Sequence, residues 1–501
     1  MTRIQRNVVA NAISYAYAAA AAIACVPAYI RFMGMEAFGL VGFFIALYTV
    51  SAPLGMGLSM AFNRELARLS VRDNTLSEMR DLLRTLESVY WLVAVAVGFG
   101  AVAAAPLISQ HWIKAEALSV TTVMRAIWLM GVALTLQFPY ALYAGGLNGL
   151  QRQALLSVIN ICMNTLRFGG ALLALWVVSP TIEVFFIWNA SVGALHSIVL
   201  GVAIRRCLSG SPGRPAFRWG LLKKIGRFAA GTSGISLAAL VLTQLDKGIL
   251  SRMLSLEMFG YYSLASMASF SLYMFIGPVF TALSPRFAQL AGLGDREGLK
   301  ALYHLGCQII SVLVITAAAV GVVFAGEVLS VWTGDPVTVE RAHLVMSLLF
   351  VGTSLNCLAN LPYALQLAYG WTSLAFYTNL VAIAVLAPLI VLLSVRYGAE
   401  GAAVAWVILN LGAVLISVQI AHARLLPGEI RRWFLDDIGR PLAAAVPVVL
   451  VARLLISPEM RRPVLLVCLL AVALAVLVSS SLAAPQVRGA LRGWLKSHAR
   501  T

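Results

Sequence analysis

Residues 228–262 read FAAGTSGISLAALVLTQLDKGILSRMLSLEMFGYY, and the fold is decided here. The segment 228–250 is long enough to cross a bilayer as one helix, yet it carries Asp246 and Lys247 side by side. Insertion scales put such a residue at roughly 2.5–3.5 kcal/mol at the bilayer centre, so an intramembrane charge points to function by default. At about 100° per residue, Thr232, Ser233, Ser236, Thr243, Gln244, Asp246, Lys247 and Ser251 share an arc of about 160°. Ile235, Leu237, Val241, Leu242, Leu245 and Ile249 fill the opposite side. One face suits lipid and the other a wet interior.

The rest of the chain follows this pattern. Of its 501 residues 60% are hydrophobic and 11% charged, against about 25% charged in soluble domains. Apolar runs of about 20 residues recur from end to end, which predicts an all-α polytopic membrane protein. Fourteen spans are expected, near 8–30, 38–60, 88–108, 123–143, 154–178, 184–204, 228–250, 258–283, 305–325, 341–363, 373–395, 401–420, 441–457 and 463–484. No cleavage pattern precedes the first, which is expected to stay in the mature chain.

A net charge of +17 would suggest nucleic acid in a soluble protein. Here its distribution excludes that partner. With the N-terminus inside, the inward segments hold 26 Lys and Arg against 10 acids, while the outer loops carry more acids than bases. The positive-inside rule therefore predicts both termini in the cytoplasm, with the basic face touching anionic membrane lipids. Residues 63–87 alternate charge at helical spacing and predict an amphipathic helix or hairpin at that surface.

The opening stretch also holds half of an internal repeat. RFMGMEAFG at 31–39 matches RMLSLEMFG at 252–260, and Pro139-Tyr140-Ala141-Leu142 recurs as Pro362-Tyr363-Ala364-Leu365. The offset covers six helices, an even number, so the halves share one orientation. A parallel repeat of that kind predicts a site between the halves near the midplane. The expected organisation is an N-lobe over 1–204, a linker over 205–227 and a C-lobe over 228–440. Two further helices over 441–484 and a basic tail over 485–501 complete it.

The sharpest site signal is in the fifth span. Gln153, Ser157, Asn160, Asn164 and Arg167 form one stripe down a helix face, with Arg167 too deep to snorkel to either surface. A guanidinium there needs an anion or a wet cavity. Its fork suits phosphate, while amides and hydroxyls suit sugar hydroxyls. A polar clamp between helices, or a salt bridge to Asp246, is the alternative. Asn7, Asn11 and Ser14 share a face of the first span, Gln137, Tyr140 and Tyr143 lie in the fourth, and Thr353, Asn356, Asn360 and Tyr363 share a face of the tenth. Gln244 and Lys247 extend the candidate surface, and Asp246 is a weaker candidate for a coupling ion. For Asp246 and Lys247 a structural pair is an equal reading. Pro27, Pro53, Pro139, Pro278 and Pro362 are expected to kink their helices.

Enzyme signals are missing. The histidines do not cluster with Cys or carboxylates at metal spacing, and no phosphate-binding Gly-rich loop or GxSxG motif occurs. No catalytic residue, metal or cofactor is expected. The six cysteines read as small packing residues.

Several stretches together resemble the bacterial polysaccharide transporter family, the Wzx-type flippases of O-antigen and capsule synthesis. They are LDKGILSRMLSLEMFGYYSLA at 245–265, SPRFAQLAGLGDREGLKALY at 284–303, VWTGD at 331–335, LPYALQLAYGWTSL at 361–374 and YGAEGAAVAWVILN at 397–410. The resemblance runs to about residue 440 and is most specific in the second half. It implies membership of the multidrug, oligosaccharidyl-lipid and polysaccharide exporter superfamily, with two six-helix lobes around a central cavity. It also implies an undecaprenyl-diphosphate-linked glycan moved from the inner to the outer leaflet of the bacterial inner membrane. A partnership with the polysaccharide polymerase machinery belongs to that picture. A drug exporter of the same fold, or a membrane glycan polymerase or ligase, are the competing readings.

Overall fold

A computed structural model of the chain describes residues 3–70, 72, 74–210, 214–223 and 244–498, without the side chains of 3–12 and of a few residues elsewhere. The described residues form helices and a single isolated bridge, Lys114 with Ser255. Among the described residues twelve helical stretches are long and apolar enough to cross a membrane. The expected span at 228–250 lies largely outside the described residues. The expected pair 373–395 and 401–420 falls within one such stretch, Phe376–Leu425. The chain divides by its contacts into two compact units, Met1–Gly260 and Tyr261–Thr501.

In the first unit, α1 (Arg3–Met33) is Ala-rich and ends at Gly34, whose φ of 86° no helix accommodates. α2 (Met35–Leu69) and α3 (Leu76–Leu107) are joined by a short turn, so residues 63–87 are the two helix ends of a hairpin. Phe62, Leu66, Leu82, Leu86, Tyr90, Leu142, Leu200 and Ile204 form its buried core. After a wide turn at Ile108–Trp112, Ser119 caps α4 (Val120–Gln137) by accepting from the Thr122 amide. Pro139 has no N–H to continue the ladder, and the short α5 (Tyr140–Gly149) starts beside it. α6 (Gln153–Val177) and α7 (Ile182–Cys207) follow, with α1 packed along α6 and α4 along α7.

A helix over 244–253 and the start of α8 (Leu256–Phe270) close this unit. Here the two copies of the repeated motif meet. A Cβ on Gly39 would lie 2.3 Å from the Leu256 carbonyl oxygen, and one on Gly260 would lie 2.6 Å from that of Met35. Met35 and Gly39 are the repeat partners of Leu256 and Gly260, so each copy presents its glycine to the other copy's backbone. Glu36, the acid of the first copy, is buried. Its carboxylate accepts from the amides of Glu116, Ala117 (2.7 Å) and Leu118 (2.9 Å), which fixes the loop before α4.

In the second unit, α9 (Tyr273–Leu293) retains Pro278 and Pro285 inside it. Asp295 caps α10 (Arg296–Val323), and the short α11 (Ala325–Thr333) follows. Asp335 caps α12 (Pro336–Leu358), accepting from the Val337 and Thr338 amides and the Thr338 hydroxyl at 2.6 Å. That hydroxyl, followed by the two amides, holds the Asp335 carboxyl below the usual range. α12 gives way at Ala359 to the short α13 (Asn360–Ala368), just as α4 gives way to α5. The repeated PYAL tetrapeptide marks both breaks. Of the five prolines expected to kink helices, Pro27, Pro53 and Pro278 sit inside continuous ones.

α14 (Thr372–Gly412) is traced as one helix but broken at Gly398, with φ 57° and ψ −134°. A Cβ on Gly401 would lie 2.2 Å from the Leu393 carbonyl oxygen. Residues eight apart in a straight helix are about 12 Å apart, so the chain turns back here, in the gap left between the expected spans. α15 (Val418–Leu425) leads to a wide turn at Trp433–Gly439. α16 (Arg440–Leu455) and α17 (Arg462–Ala483) then pack on each other and on α10 through Ile315, Phe324, Val449, Leu465 and Val476. The basic tail is α18 (Pro485–His498).

Candidate functional site

The polar stripe lies on α6, and neighbouring helices fix the turn that carries Arg167. Tyr29 of α1 donates to the Phe168 carbonyl at 2.8 Å, and Trp188 of α7 donates to that of Leu166 at 3.0 Å. Tyr17 and Thr165 share a hydroxyl bond of 2.6 Å. With the backbone held on both sides of residue 167, the guanidinium projects from a rigid base.

It lines a cavity of about 190 Å³ with Tyr48 of α2, Gln137 of α4, Tyr140 of α5, Asn164 of α6, and Gly193 and His196 of α7. Behind this wall Asn160 Oδ1 faces His196 Nε2 at 3.1 Å and the Tyr140 hydroxyl at 3.5 Å. The Tyr140 and His196 rings meet edge to face, 4.8 Å between centroids. Arg167 Nε and Gln137 Nε2 are both buried without a hydrogen-bond partner among the described residues. Buried donors left unpaired are costly, of the order of 1–3 kcal/mol each. A ligand oxygen entering the cavity would relieve that cost.

The lining contains a guanidinium, two amides, two phenols and an imidazole, but no carboxylate. Such a set donates hydrogen bonds to an anion and repels a cation. At about 190 Å³ the space is smaller than the ≈ 300–1,000 Å³ of whole drug-sized sites. It suits a charged head group rather than an entire glycan.

The other expected residues have different surroundings. Ser157 is buried further along α6 and does not line the cavity. Asp246 and Lys247 pair with each other, Nζ to Oδ2 at 3.4 Å, each 8% exposed. Both side chains are therefore buried. Gln244 Oε1 is buried with no hydrogen-bond partner among the described residues. The side chain of Asn11 lies outside the described residues. Asn356 and Asn360 belong to the second unit, in a network between helices. The Asn356 amide donates to Asn410 Oδ1 at 2.7 Å, its carbonyl accepts from Tyr273 at 2.7 Å, and Asn360 donates to the Asn356 backbone at 3.0 Å. Among the described residues no group of His, Cys, Asp and Glu could hold a metal.

Tyr48 and His196 were not expected in the site. Tyr48 shares its helix face with Ser51 and His196 shares its face with Asn189, pairs too short to stand out as a polar stripe. Gln137 and Tyr140 do stand out in the fourth span, but only as one of several weak polar sets.

The family model described as "Polysaccharide biosynthesis protein" matches residues 4–291, more than half of the chain. The chain belongs to this family. A second model, MatE, matches residues 234–392. The chain is 22% identical over 412 residues to a Shigella flexneri protein named "Putative O-antigen transporter", covering 80% of this chain and 94% of that one. Its fold is similar to that of the lipid II flippase MurJ in an inward closed conformation, with a TM-score of 0.68 at 14% identity over 95% and 98% of the two chains. It is also similar to an inward-facing multidrug resistance MATE family transporter of the MOP superfamily, with a TM-score of 0.63 at 15% identity over 86% and 99%. This family member is thus an all-helical, multi-pass membrane protein with the fold shared by MurJ and the MATE transporters.

Proposed function

We propose that this family member is a flippase for undecaprenyl-diphosphate-linked oligosaccharides, precursors of O-antigen, capsule or exopolysaccharide. It would carry them from the cytoplasmic to the periplasmic leaflet of the inner membrane by alternating access. The observation that carries this reading is the cavity around Arg167, whose lining holds a guanidinium and hydrogen-bond donors but no carboxylate. The guanidinium fork and the Gln137 amide receive the diphosphate, and Asn164, Tyr48 and Tyr140 hydrogen-bond its oxygens or the first sugar. The name of the Shigella relative, "Putative O-antigen transporter", supports the substrate class, and the fold likeness to a lipid II flippase supports a lipid-linked head group. Both termini face the cytoplasm. Asp246 and Lys247 act as a buried structural pair, with Asp246 the place to look for a coupling ion.

A drug exporter of the same fold is the second reading, favoured by the MATE likeness. The lining argues against cationic drugs, because it offers a positive charge and no carboxylate.

The test is Arg167→Ala in the native host, measuring surface glycan and the leaflet location of the lipid-linked intermediate. Loss of surface glycan, with the intermediate held on the cytoplasmic face at normal protein levels, is the expected result. Wild-type export would overturn the assignment. Polymerase activity predicts a different outcome in a deletion strain, with unpolymerised intermediate already on the periplasmic face.

A further inference from the structure

A second and larger cavity, about 550 Å³, opens in the first unit where α3 begins and α7 ends, near linker residues 208–210 and 215. Its wall carries Arg80, Arg84 and Glu87 of α3, Arg205 of α7, and the apolar Leu83 and Pro215. Arg80 and Arg84 are one helical turn apart and so share a face. Arg205 reaches Glu87, itself buried, at 2.6 Å. The lining therefore holds three guanidinium groups, of which Arg205 is paired with the one carboxylate, Glu87. Arg84 is exposed and has no ion pair among the described residues.

The wall is built rather than incidental. The linker segment that brings Pro215 to the cavity is pinned to α3. The Ala216 amide donates to Asp81 at 2.8 Å, the Arg218 amide to Thr85 at 2.9 Å, and the Arg218 guanidinium pairs with Asp81 at 2.6 Å. Asp81, the nearby acid that could neutralise the cavity, is thereby held by the linker. In the same segment Phe217 and Trp219 are exposed, their rings 6.4 Å apart. Exposed aromatics beside basic groups characterise the membrane–water interface.

We propose that this cavity is a receptor for a phosphate-bearing group of about two negative charges, separate from the Arg167 site. Arg84 grips the phosphate oxygens, Arg80 and Arg205 add to the positive field around it, and Leu83 and Pro215 accept the apolar part next to the phosphate. The exposed aromatics favour a lipid head group of the cytoplasmic leaflet as the source. A soluble phosphorylated molecule shares the chemistry.

The test uses the full-length protein in phosphatidylcholine nanodiscs, with and without cardiolipin, and with inorganic diphosphate added to the cardiolipin-free discs. The readouts are the thermal midpoint and, by native mass spectrometry, retained lipid. Arg84→Gln and Arg80→Gln/Arg84→Gln are compared with wild type and with Arg167→Gln. The expected result is a raised midpoint for wild type and Arg167→Gln alike, with apparent affinity about tenfold weaker in Arg84→Gln. Stabilisation by cardiolipin alone identifies the lipid source, and stabilisation by diphosphate that survives in Arg167→Gln identifies a soluble one. The proposal is overturned if neither ligand stabilises wild type. It is also overturned if Arg84→Gln, an exposed position that should not affect folding, keeps the full effect. Loss of both effects in Arg167→Gln would assign the binding to the other cavity and overturn it too.

Discussion

Arg167 differs from other guanidinium groups of the chain in what surrounds it. Arg205, Arg218 and Arg453 each lie against a buried acid, Glu87, Asp81 and Glu327 respectively. Arg167 faces phenols, amides and an imidazole instead. If it grips a diphosphate through both arms, Arg167→Lys keeps the charge and loses the fork. Flipping of labelled lipid-linked glycan in proteoliposomes should then fall about tenfold with Lys, and further with Ala. A drop in Ala that Lys restores fully would mean that charge alone matters. Arg167 and Asn164 were legible because they recur on one face of α6 among apolar neighbours. Tyr48 and His196 were not legible, because a single polar pair on a helix face is too short to stand out as a stripe. The amides of Asn356 and Asn360 were legible as polar but not in purpose, since hydrogen bonds between helices and bonds to a ligand use the same side chains.

At the scale of elements, α10, the turn before α16 and the tail helix meet in a buried polar cluster. His304 Nδ1 faces Asp437 at 2.5 Å and its Nε2 faces Glu429 at 3.2 Å. Gln308 donates to Asp437 and accepts from the Gln486 amide, which ties α18 to α10. Burial alone would push the Glu429 carboxyl up, but hydrogen bonds and charge from Lys300 and His304 outweigh it and hold the carboxyl below its ordinary value of 4.5. A group lowered in the folded state stabilises the fold above that ordinary value and ceases to as pH falls through the folded one. The thermal midpoint of wild type should therefore exceed that of Glu429→Gln at neutral pH. The gap should close as pH drops below about 4.5, and a pH-independent gap would show that Glu429 acts by packing alone. The break at Gly398 makes a separate prediction. Its positive φ is costly for a side chain, about 1–2 kcal/mol, so Gly398→Ala should lower the midpoint without altering the spectral helix content. The YGAEG sequence marked that break because two apolar runs end on either side of it. By contrast, the change from α4 to α5 falls inside one expected span, where hydropathy shows no gap and only Pro139 gives a sign.

For the whole molecule, membrane class was the most legible feature, since it depends on long-range averages of hydropathy. The 26 to 10 imbalance of Lys and Arg over acids on one side predicts that a cysteine at Ser209 is labelled by an impermeant thiol reagent only from the cytoplasm. A cysteine at Asp335 should be labelled only from the periplasm. The reverse pattern would invert the expected topology and the proposed direction of transport. The candidate cavity was less legible, because a space assembled from α2, α4, α5, α6 and α7 has no counterpart in any single stretch of sequence.

The meeting of the two motif copies has a consequence for how such a chain arose. Met35 and Gly39 face Gly260 and Leu256 reciprocally, which is the pattern of an isologous contact between identical molecules. A polypeptide of half this length could make the same contact with its twin, as a concentration-dependent dimer. Joining the copies in one chain makes that encounter intramolecular, so it no longer depends on how many molecules the membrane holds. Each copy is then free to diverge: one can keep Glu36 to brace its loop, and the other can carry a charged pair just ahead of its motif.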